Sequence, residues 1–389
     1  MAGGAKRVAE RFATGGAVKS VARLGEGHIH ATYEVVVARD GGTAYRFVLQ
    51  RINRAVFGDP SAVVRNVERV IEHLRSRTAE EGGKPEREVL TLVPARDDAM
   101  FVRDEEGEIW RCYEWIERAA ARSTVAGPSQ ARTVARTFGR FLRRMSDFPA
   151  HTLEITIAGF HDVTAHLRQL ENVVREDPCA RAAKAEKERA FIECREDGIA
   201  AWMELLACDQ VSMRPVHNDT KVSNVLIDQE TGEGICVIDL DTVMPGFALV
   251  DVGDCIRSAM TGPEAVGRAV DLSLFEAVVR GFLDEAGDLL SAAEVGHIVE
   301  ATRSIALELG IRFLSDFIAG DRWFPVSTAV ENLDRCRAQL ELVRGIEERE
   351  DGMAGIVCRA AERSRRSRIR GLASADAIRF GIDGGRGYT

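Results

Sequence analysis

The sequence predicts an α+β protein of two lobes, a small β-rich N-terminal one and a larger, mostly helical C-terminal one. Three observations carry this. Before about residue 117 the apolar residues alternate as in strands; after it they recur at helical spacing; and one strand–turn–strand stretch interrupts the helices near 214–241. The expected divisions are 1–116, 117–350 and a basic C-terminal extension, 351–389.

The elements follow in order. Ala31 to Val37 is rich in β-branched residues, Arg39-Asp40-Gly41-Gly42 is a turn signal, and Ala44 to Ile52 reads as the returning strand. Asp59-Pro60-Ser61 starts a helix whose apolar positions are Val63, Val64, Val67, Val70, Ile71 and Leu74. Short strands at Met100 to Arg103 and Ile109 to Ile116 flank the turn Asp104-Glu105-Glu106-Gly107. Beyond 117, Val134, Phe138, Phe141, Leu142 and Met145 share a helical face, and further helices are expected near 180–207, 264–286, 291–319 and 328–349. Arg359 to Arg370 holds six Arg against one Glu and is expected as a solvated helix and frayed tail.

Composition narrows the function. The 389 residues are 45% hydrophobic and 29% charged, as in a folded globular chain. A net charge of −9 argues against a general nucleic-acid binder, which needs clustered positive charge. There is no long uncharged apolar run for a membrane span and no apolar core for a secretory signal near the N-terminus. Eight Cys without a C-x-x-C pair read as free thiols, so a cytoplasmic protein is expected. Monomer and homodimer both stay open.

The stretch 216–241 carries the chemistry. It runs His217-Asn218-Asp219-Thr220-Lys221-Val222-Ser223-Asn224, a strand to Asp228, a Gly-containing turn, and an apolar strand ending Ile238-Asp239-Leu240-Asp241. A hairpin holding Asn224 at its entrance and Asp239 at its exit brings those ends together beside Asp219. Asp219 is placed to take the proton of an attacking hydroxyl. Asn224 and Asp239 are placed to hold Mg²⁺, which prefers carboxylate and amide oxygens plus substrate phosphates. Lys221 is placed to neutralise a transferred group, and His217 to brace the loop. The spacing matches the catalytic loop of phosphoryl-transfer enzymes of the kinase type, whose catalysis is positioning and charge neutralisation. Asp241 is either a further metal or substrate ligand or a structural hydrogen-bonding group. Asp251 is expected to cap the helix that follows it.

On the nucleotide side, Gly25 and Gly27, with His28 and His30 after them, form a loop whose backbone can approach phosphates. No G-x-x-x-x-G-K-[ST] motif occurs. Gln50 stands where a kinase would place its phosphate-binding lysine; Arg51 follows, and Glu68 or Glu72 is a candidate partner for such a cation. Glu114, Trp115 and Ile116 join the lobes, where adenine could lie.

Together these segments resemble the aminoglycoside phosphotransferase/choline kinase superfamily, and look closest to its N-acetylhexosamine 1-kinase branch. The match rests on His217 to Asn224 and Val237 to Gly246. It extends to Gly25 to Ile29, Val48 to Asn53, Trp110-Arg111 with Glu114, Phe160-His161-Asp162, Arg312 to Asp316, Gly320 to Phe324 and Asn332 to Arg335. The resemblance implies a protein-kinase-like bilobal fold, ATP and Mg²⁺ as cofactors, and a small-molecule hydroxyl acceptor. In that branch the acceptor is the anomeric hydroxyl of N-acetylglucosamine or N-acetylgalactosamine. Residue by residue, Asp219 is the base and Asn224 and Asp239 the metal ligands. Arg312 and Asp316 become acceptor candidates, although four residues apart on a helix they could instead pair with each other. His161 and Trp323 are further acceptor candidates, and Asp162 is expected to cap its helix. Two departures, Trp323 where the branch shows Tyr and Glu331 where it shows His, leave the acceptor open to another sugar, an aminoglycoside or an amino alcohol.

Overall fold

The structure, a computed structural model, describes residues 2–25, 29–39, 41, 43–261 and 270–382. Helix α1 (Ala2–Ala9) precedes strands β1 (Ala17–Arg23), β2 (Ala31–Ala38) and β3 (Ala44–Arg51), then α2 (Pro60–Glu80), α3 (Pro85–Glu88), β4 (Val102–Arg103) and β5 (Ile109–Glu114). The five strands make one antiparallel sheet in the order β1-β2-β3-β5-β4. Alternation gives this sheet two faces. Val35, Val37, Phe47, Leu49, Trp110 and Cys112 point to one side and bury Val8 and Phe12 from the α1 segment. Arg46, Val48, Gln50, Arg111 and Tyr113 are therefore on the other side, toward the helical lobe. Pairing of β3 with β5 sets Gln50 opposite Arg111.

Helix α2 starts as its sequence suggests. The Asp59 carboxylate accepts the Ser61 and Ala62 N–H groups, and the apolar positions Val63 to Leu74 are buried. A cap of this kind is worth about 1 kcal/mol.

The helical lobe begins with β6 (Ala119–Ala121), α4 (Pro128–Arg144), α5 (Val163–Glu176), α6 (Glu186–Glu193) and α7 (Glu196–Leu206). Next come β7 (Met213–Val216), β8 (Val225–Asp228), β9 (Gly234–Val237) and β10 (Met244–Phe247). It closes with α8 (Ala248–Met260), α9 (Leu272–Ala286), α10 (Ala292–Gly296), α11 (Ile298–Ala319), α12 (Glu331–Glu347) and α13 (Glu350–Ile382). β8 and β9 form the expected hairpin, with β6 added beside β8, while β7 pairs with β10. Asp162 caps α5 by accepting the Ala165 N–H at 2.9 Å. Asp271 caps α9, so the helix expected from 264 starts at Leu272; residues 262–269 lie outside the described part.

The expected basic extension, 351–389, is described as far as Ile382 and belongs to α13. Its first half is one face of α13 with Met353, Ile356, Val357 and Ala360 buried, and the Ser364 hydroxyl donates to the Leu283 carbonyl of α9 at 2.7 Å. Arg359, Arg363, Arg365 and Arg366 lie on exposed faces of the same helix. All eight cysteines are free, and among the described residues no helix is long and apolar enough to cross a membrane.

Candidate active site

The 217–225 loop is fixed by groups that carry none of the expected chemistry. Asp251, on the first turn of α8, accepts the backbone N–H of His217 at 2.9 Å and of Asn218 at 2.7 Å. This corrects its expected role: it fastens the loop rather than capping its own helix. Burial pushes its carboxyl up to about 6. The Nδ1 of His217 accepts the Asp219 N–H at 3.2 Å, so the proton sits on Nε2, which donates to the Ile238 carbonyl at 3.0 Å. The Thr242 hydroxyl donates to the His217 carbonyl at 2.7 Å. Asn218 and Asp239 adopt left-handed backbone, φ 61° and 62°, which Asn and Asp tolerate better than other non-Gly residues.

With the backbone held, the functional side chains converge. Val225 pairs with Val237, and the Ile238 N–H donates to the Asn224 carbonyl at 2.9 Å, which sets Asn224 beside Asp239. Lys221 Nζ lies 2.6 Å from Asp219 Oδ2, and the Asn224 amide donates to the same oxygen at 3.0 Å. Since its N–H₂ also reaches the Asp219 carbonyl at 2.8 Å, the Asn224 oxygen is the atom left for a cation. Burial pushes Asp219 up, but Lys221 and Asn224 outweigh it and hold the carboxyl below its usual range. Asp239 is raised instead, by burial and by repulsion from Asp241 and Asp219, against the pull of Lys221. A carboxylate only partly compensated by Lys221, next to an amide oxygen, is a donor set that fits Mg²⁺.

Asp241 is different although only two residues on. It is buried, with Arg111 Nη1 2.5 Å from Oδ1 and His30 Nε2 2.5 Å from Oδ2. Burial would raise its carboxyl; Arg111 and His30 outweigh that and hold it well below the usual range. One ligand atom each of His30, Asp239 and Asp241 lies within 4.8 Å of the others. Yet Nδ1 of His30 accepts the Asn53 N–H at 3.1 Å, so Nε2 carries the proton and donates to Asp241. Such a ring cannot also ligate a metal through Nε2 without losing that proton. His30 therefore secures Asp241 from the N-terminal lobe. The carboxylate partner of Arg111 is thus Asp241; among the described residues Arg51 makes no ion pair with Glu68 or Glu72 of α2.

Arg111 was singled out by the sequence only as part of a resembling segment. The signal that could have found it was its cross-strand register with Gln50, whose Oε1 it contacts through Nε and Nη2 at 3.1 and 2.9 Å. Gly25 has φ 63°, a conformation suited to glycine, whereas Gly27 and His28 lie outside the described residues. At the lobe junction the Glu114 N–H donates to Thr91 at 2.9 Å and the Trp115 N–H to Arg46 at 3.2 Å. The Arg46 guanidinium lies 4.4 Å from the centre of the Trp115 ring, and Ile116 packs on the main core. The ring of Trp115 is thus covered by Arg46.

The acceptor candidates are linked to the loop through His161. Its Nε2 faces the Asn218 carbonyl at 2.9 Å and its Nδ1 faces both oxygens of Glu308 at 3.1 Å. Both ring nitrogens face acceptors, so the ring is held as imidazolium. Burial opposes that charge, but Glu308 outweighs it and raises the pKa; burial likewise opposes Glu308, whose pKa His161 and Arg312 hold down. Glu308 went unnoticed in the sequence, though it stands four residues before Arg312. Arg312 Nη1 lies 3.4 Å from Glu308, and its guanidinium is 5.0 Å from the centre of the Phe160 ring and 5.8 Å from that of Phe324.

Asp316 requires a correction. It is buried, and its carboxylate accepts the N–H groups of Arg322, Trp323 and Phe324 at 2.8, 2.9 and 2.8 Å and the Asn332 amide at 3.0 Å. Every oxygen is committed to the 321–324 loop, so Asp316 shapes that loop instead of facing an acceptor, and it does not pair with Arg312. The loop presents Trp323, which is 56% exposed. Glu331 is bound to its own corner, accepting the Ser327 N–H and pairing with Arg335 at 2.6 Å.

The sequence profile described as phosphotransferase enzyme family matches residues 20–289. Among solved structures, the chain is similar to an aminoglycoside phosphotransferase from Alicyclobacillus acidocaldarius at TM-score 0.57 and 15% identity, covering 92% of this chain and 96% of that one. A Plasmodium vivax ethanolamine kinase matches at TM-score 0.54 and 12% identity, over 84% and 82% of the two chains. The amicoumacin kinase hAmiN, in complex with AMP-PNP, Ca²⁺ and Ami, matches at TM-score 0.53 and 14% identity, over 82% and 87% of the two chains. At these identities the likeness establishes the shared protein-kinase-like bilobal fold.

Proposed function

The chain belongs to the phosphotransferase enzyme family, acting on small-molecule hydroxyl acceptors, and we propose that it is an ATP- and Mg²⁺-dependent kinase phosphorylating the anomeric hydroxyl of an N-acetylhexosamine. In this reading 1–116 binds nucleotide and 117–350 carries catalysis and the acceptor. The observation that supports the reaction type is the meeting of Asp219, Lys221, Asn224 and Asp239 in one cleft.

The steps assigned to the chain are few. Asp219 accepts the proton of the acceptor hydroxyl as its oxygen bonds to the γ-phosphorus and the bond to the β–γ bridging oxygen breaks, leaving ADP. Lys221, paired with Asp219 and close to Asp239, offsets charge on the transferred group. Asn224 and Asp239 would hold Mg²⁺, which supplies neutralisation of phosphate charge when bound. The AMP-PNP bound to the similar amicoumacin kinase supports a nucleotide in this cleft.

Charge on the acceptor side supports an uncharged sugar. Arg312 and the His161 imidazolium share the single carboxylate of Glu308, and Asp316 is spent on its loop. An amino alcohol or aminoglycoside would find no uncommitted carboxylate at that corner to receive its ammonium group. A sugar offers hydroxyl and amide oxygens to Arg312 and an apolar face to Phe160, Phe324 or Trp323. The test is an acceptor screen following ADP release, with ³¹P NMR to locate the phosphate. We expect turnover with N-acetylglucosamine or N-acetylgalactosamine and phosphate on the anomeric oxygen. Turnover confined to ethanolamine, choline or aminoglycosides would contradict it.

A further inference from the structure

Strand β3 presents Gln50 toward the helical lobe, and a neutral amide offers no charge to a polyphosphate. A cation is nevertheless present on the same face. Arg111 stands directly opposite on β5, and Gln50 aims it. The Gln50 amide N–H₂ donates to the Thr32 hydroxyl at 3.2 Å, which turns the Gln50 oxygen toward Arg111 to accept from Nε and Nη2 at 3.1 and 2.9 Å. The remaining nitrogen, Nη1, faces Asp241 Oδ1 at 2.5 Å, and neither atom has a further partner among the described residues. The side chain is 1% exposed. A buried guanidinium therefore keeps one fork nitrogen on a single carboxylate, two residues from Asp239, the candidate metal ligand.

We propose that Arg111 is the cation that grips the nucleotide phosphates, supplied by β5 in place of a β3 lysine, aimed by Gln50 and parked on Asp241 until nucleotide enters. The inference rests on the kinase reading of the cleft. Guanidinium suits the role because its planar fork can bind a phosphate while Gln50 holds the other edge. Asp241 is not stranded when Arg111 turns to phosphate, because the His30 Nε2 proton remains on its other oxygen. A purely structural ion pair is the competing account; placing the cation opposite Gln50, on the face turned to the helical lobe and beside Asp239, favours a phosphate partner over it.

The experiment is calorimetric binding of ATP, ADP and adenosine to the unaltered protein and to Arg111→Gln, each with Mg²⁺. We expect Arg111→Gln to weaken ATP by about 10–100-fold while adenosine stays within about threefold, as loss of a charged phosphate contact predicts. The double variant Gln50→Lys/Arg111→Gln, which returns the cation to β3, should recover most of the ATP affinity. Equal weakening of ATP and adenosine, or no weakening of either, overturns the assignment. If the unaltered protein binds no ATP, the kinase reading fails and this inference with it; if it binds ATP and Arg111→Gln loses nothing, only the role of Arg111 falls. Should Arg111→Gln not fold, a crystal structure of the unaltered protein with Mg²⁺ and AMP-PNP decides. A guanidinium nitrogen within hydrogen-bond distance of a phosphate oxygen supports the proposal, and a guanidinium still confined to Asp241 overturns it.

Discussion

The hairpin around residues 217–241 and the corner around residues 308–332 both gather conspicuous acids and cations, but they use them in opposite ways. In the hairpin, backbone is fastened by Asp251, Thr242 and His217, so Asp219, the Asn224 oxygen and Asp239 stay turned to the cleft. In the corner, the conspicuous acid is itself the fastener: Asp316 takes three backbone N–H groups and the Asn332 amide. What remains there for a ligand is Arg312, aromatic surface and the exposed Trp323. An acid in a motif is chemically available only where something else pays the cost of holding the chain.

That contrast can be broken at either end. The largest effect belongs to Asp219→Asn, which should lower kcat by about 10²–10⁴ while ATP affinity measured by calorimetry is kept. Full turnover would mean that the hairpin acid is also only structural. Asp316→Ala should do the reverse. Four donors would lose their buried acceptor, so thermal unfolding should show a loss of about 3 kcal/mol, with kcat at low temperature changed only a few-fold. A collapse of kcat at unchanged stability would move Asp316 into the acceptor site.

The smallest effect is a pH dependence at the link between the two regions. The His161 pKa is raised in the folded protein, so its contribution to stability is complete below the unfolded value near 6.5 and is lost as pH rises through the folded value. The Glu308 pKa is lowered, so its contribution is present above about 4.5 and is lost as pH falls through the folded value. His161→Gln should therefore cost more in melting temperature at pH 6 than at pH 9. An equal cost at both would show that His161 is held neutral.

How far the sequence could be read follows the same division. The hairpin was legible because its donors lie in one short stretch, where spacing is nearly contact. The β2–β3 pair and α2 were legible from alternation and from the Asp59 cap. β1 was not, since of its seven residues only Val18 is buried, nor was β10, whose Met-Pro-Gly-Phe has no strand pattern and is ordered by β7. In α11, Glu308 and Asp316 flank Arg312 at the same four-residue spacing. Helical geometry cannot choose between them; His161 claims Glu308, while the 321–324 loop and Asn332 claim Asp316. Arg111 and Asp241 meet only because β5 joins the sheet beside β3 and the lobes pack face to face. From sequence Asp251 reads as a cap, because the loop it fastens lies upstream, across β10.

The central claim is that Asn224 and Asp239 hold a divalent cation beside Asp219 in a single cleft. Electron paramagnetic resonance of Mn²⁺, standing in for Mg²⁺, measures that without turnover. With ADP present, the unaltered protein and Asp219→Asn should bind Mn²⁺ with similar affinity, and Asp239→Ala should bind it at least about tenfold more weakly. Mn²⁺ binding that is unchanged by Asp239→Ala would contradict the account.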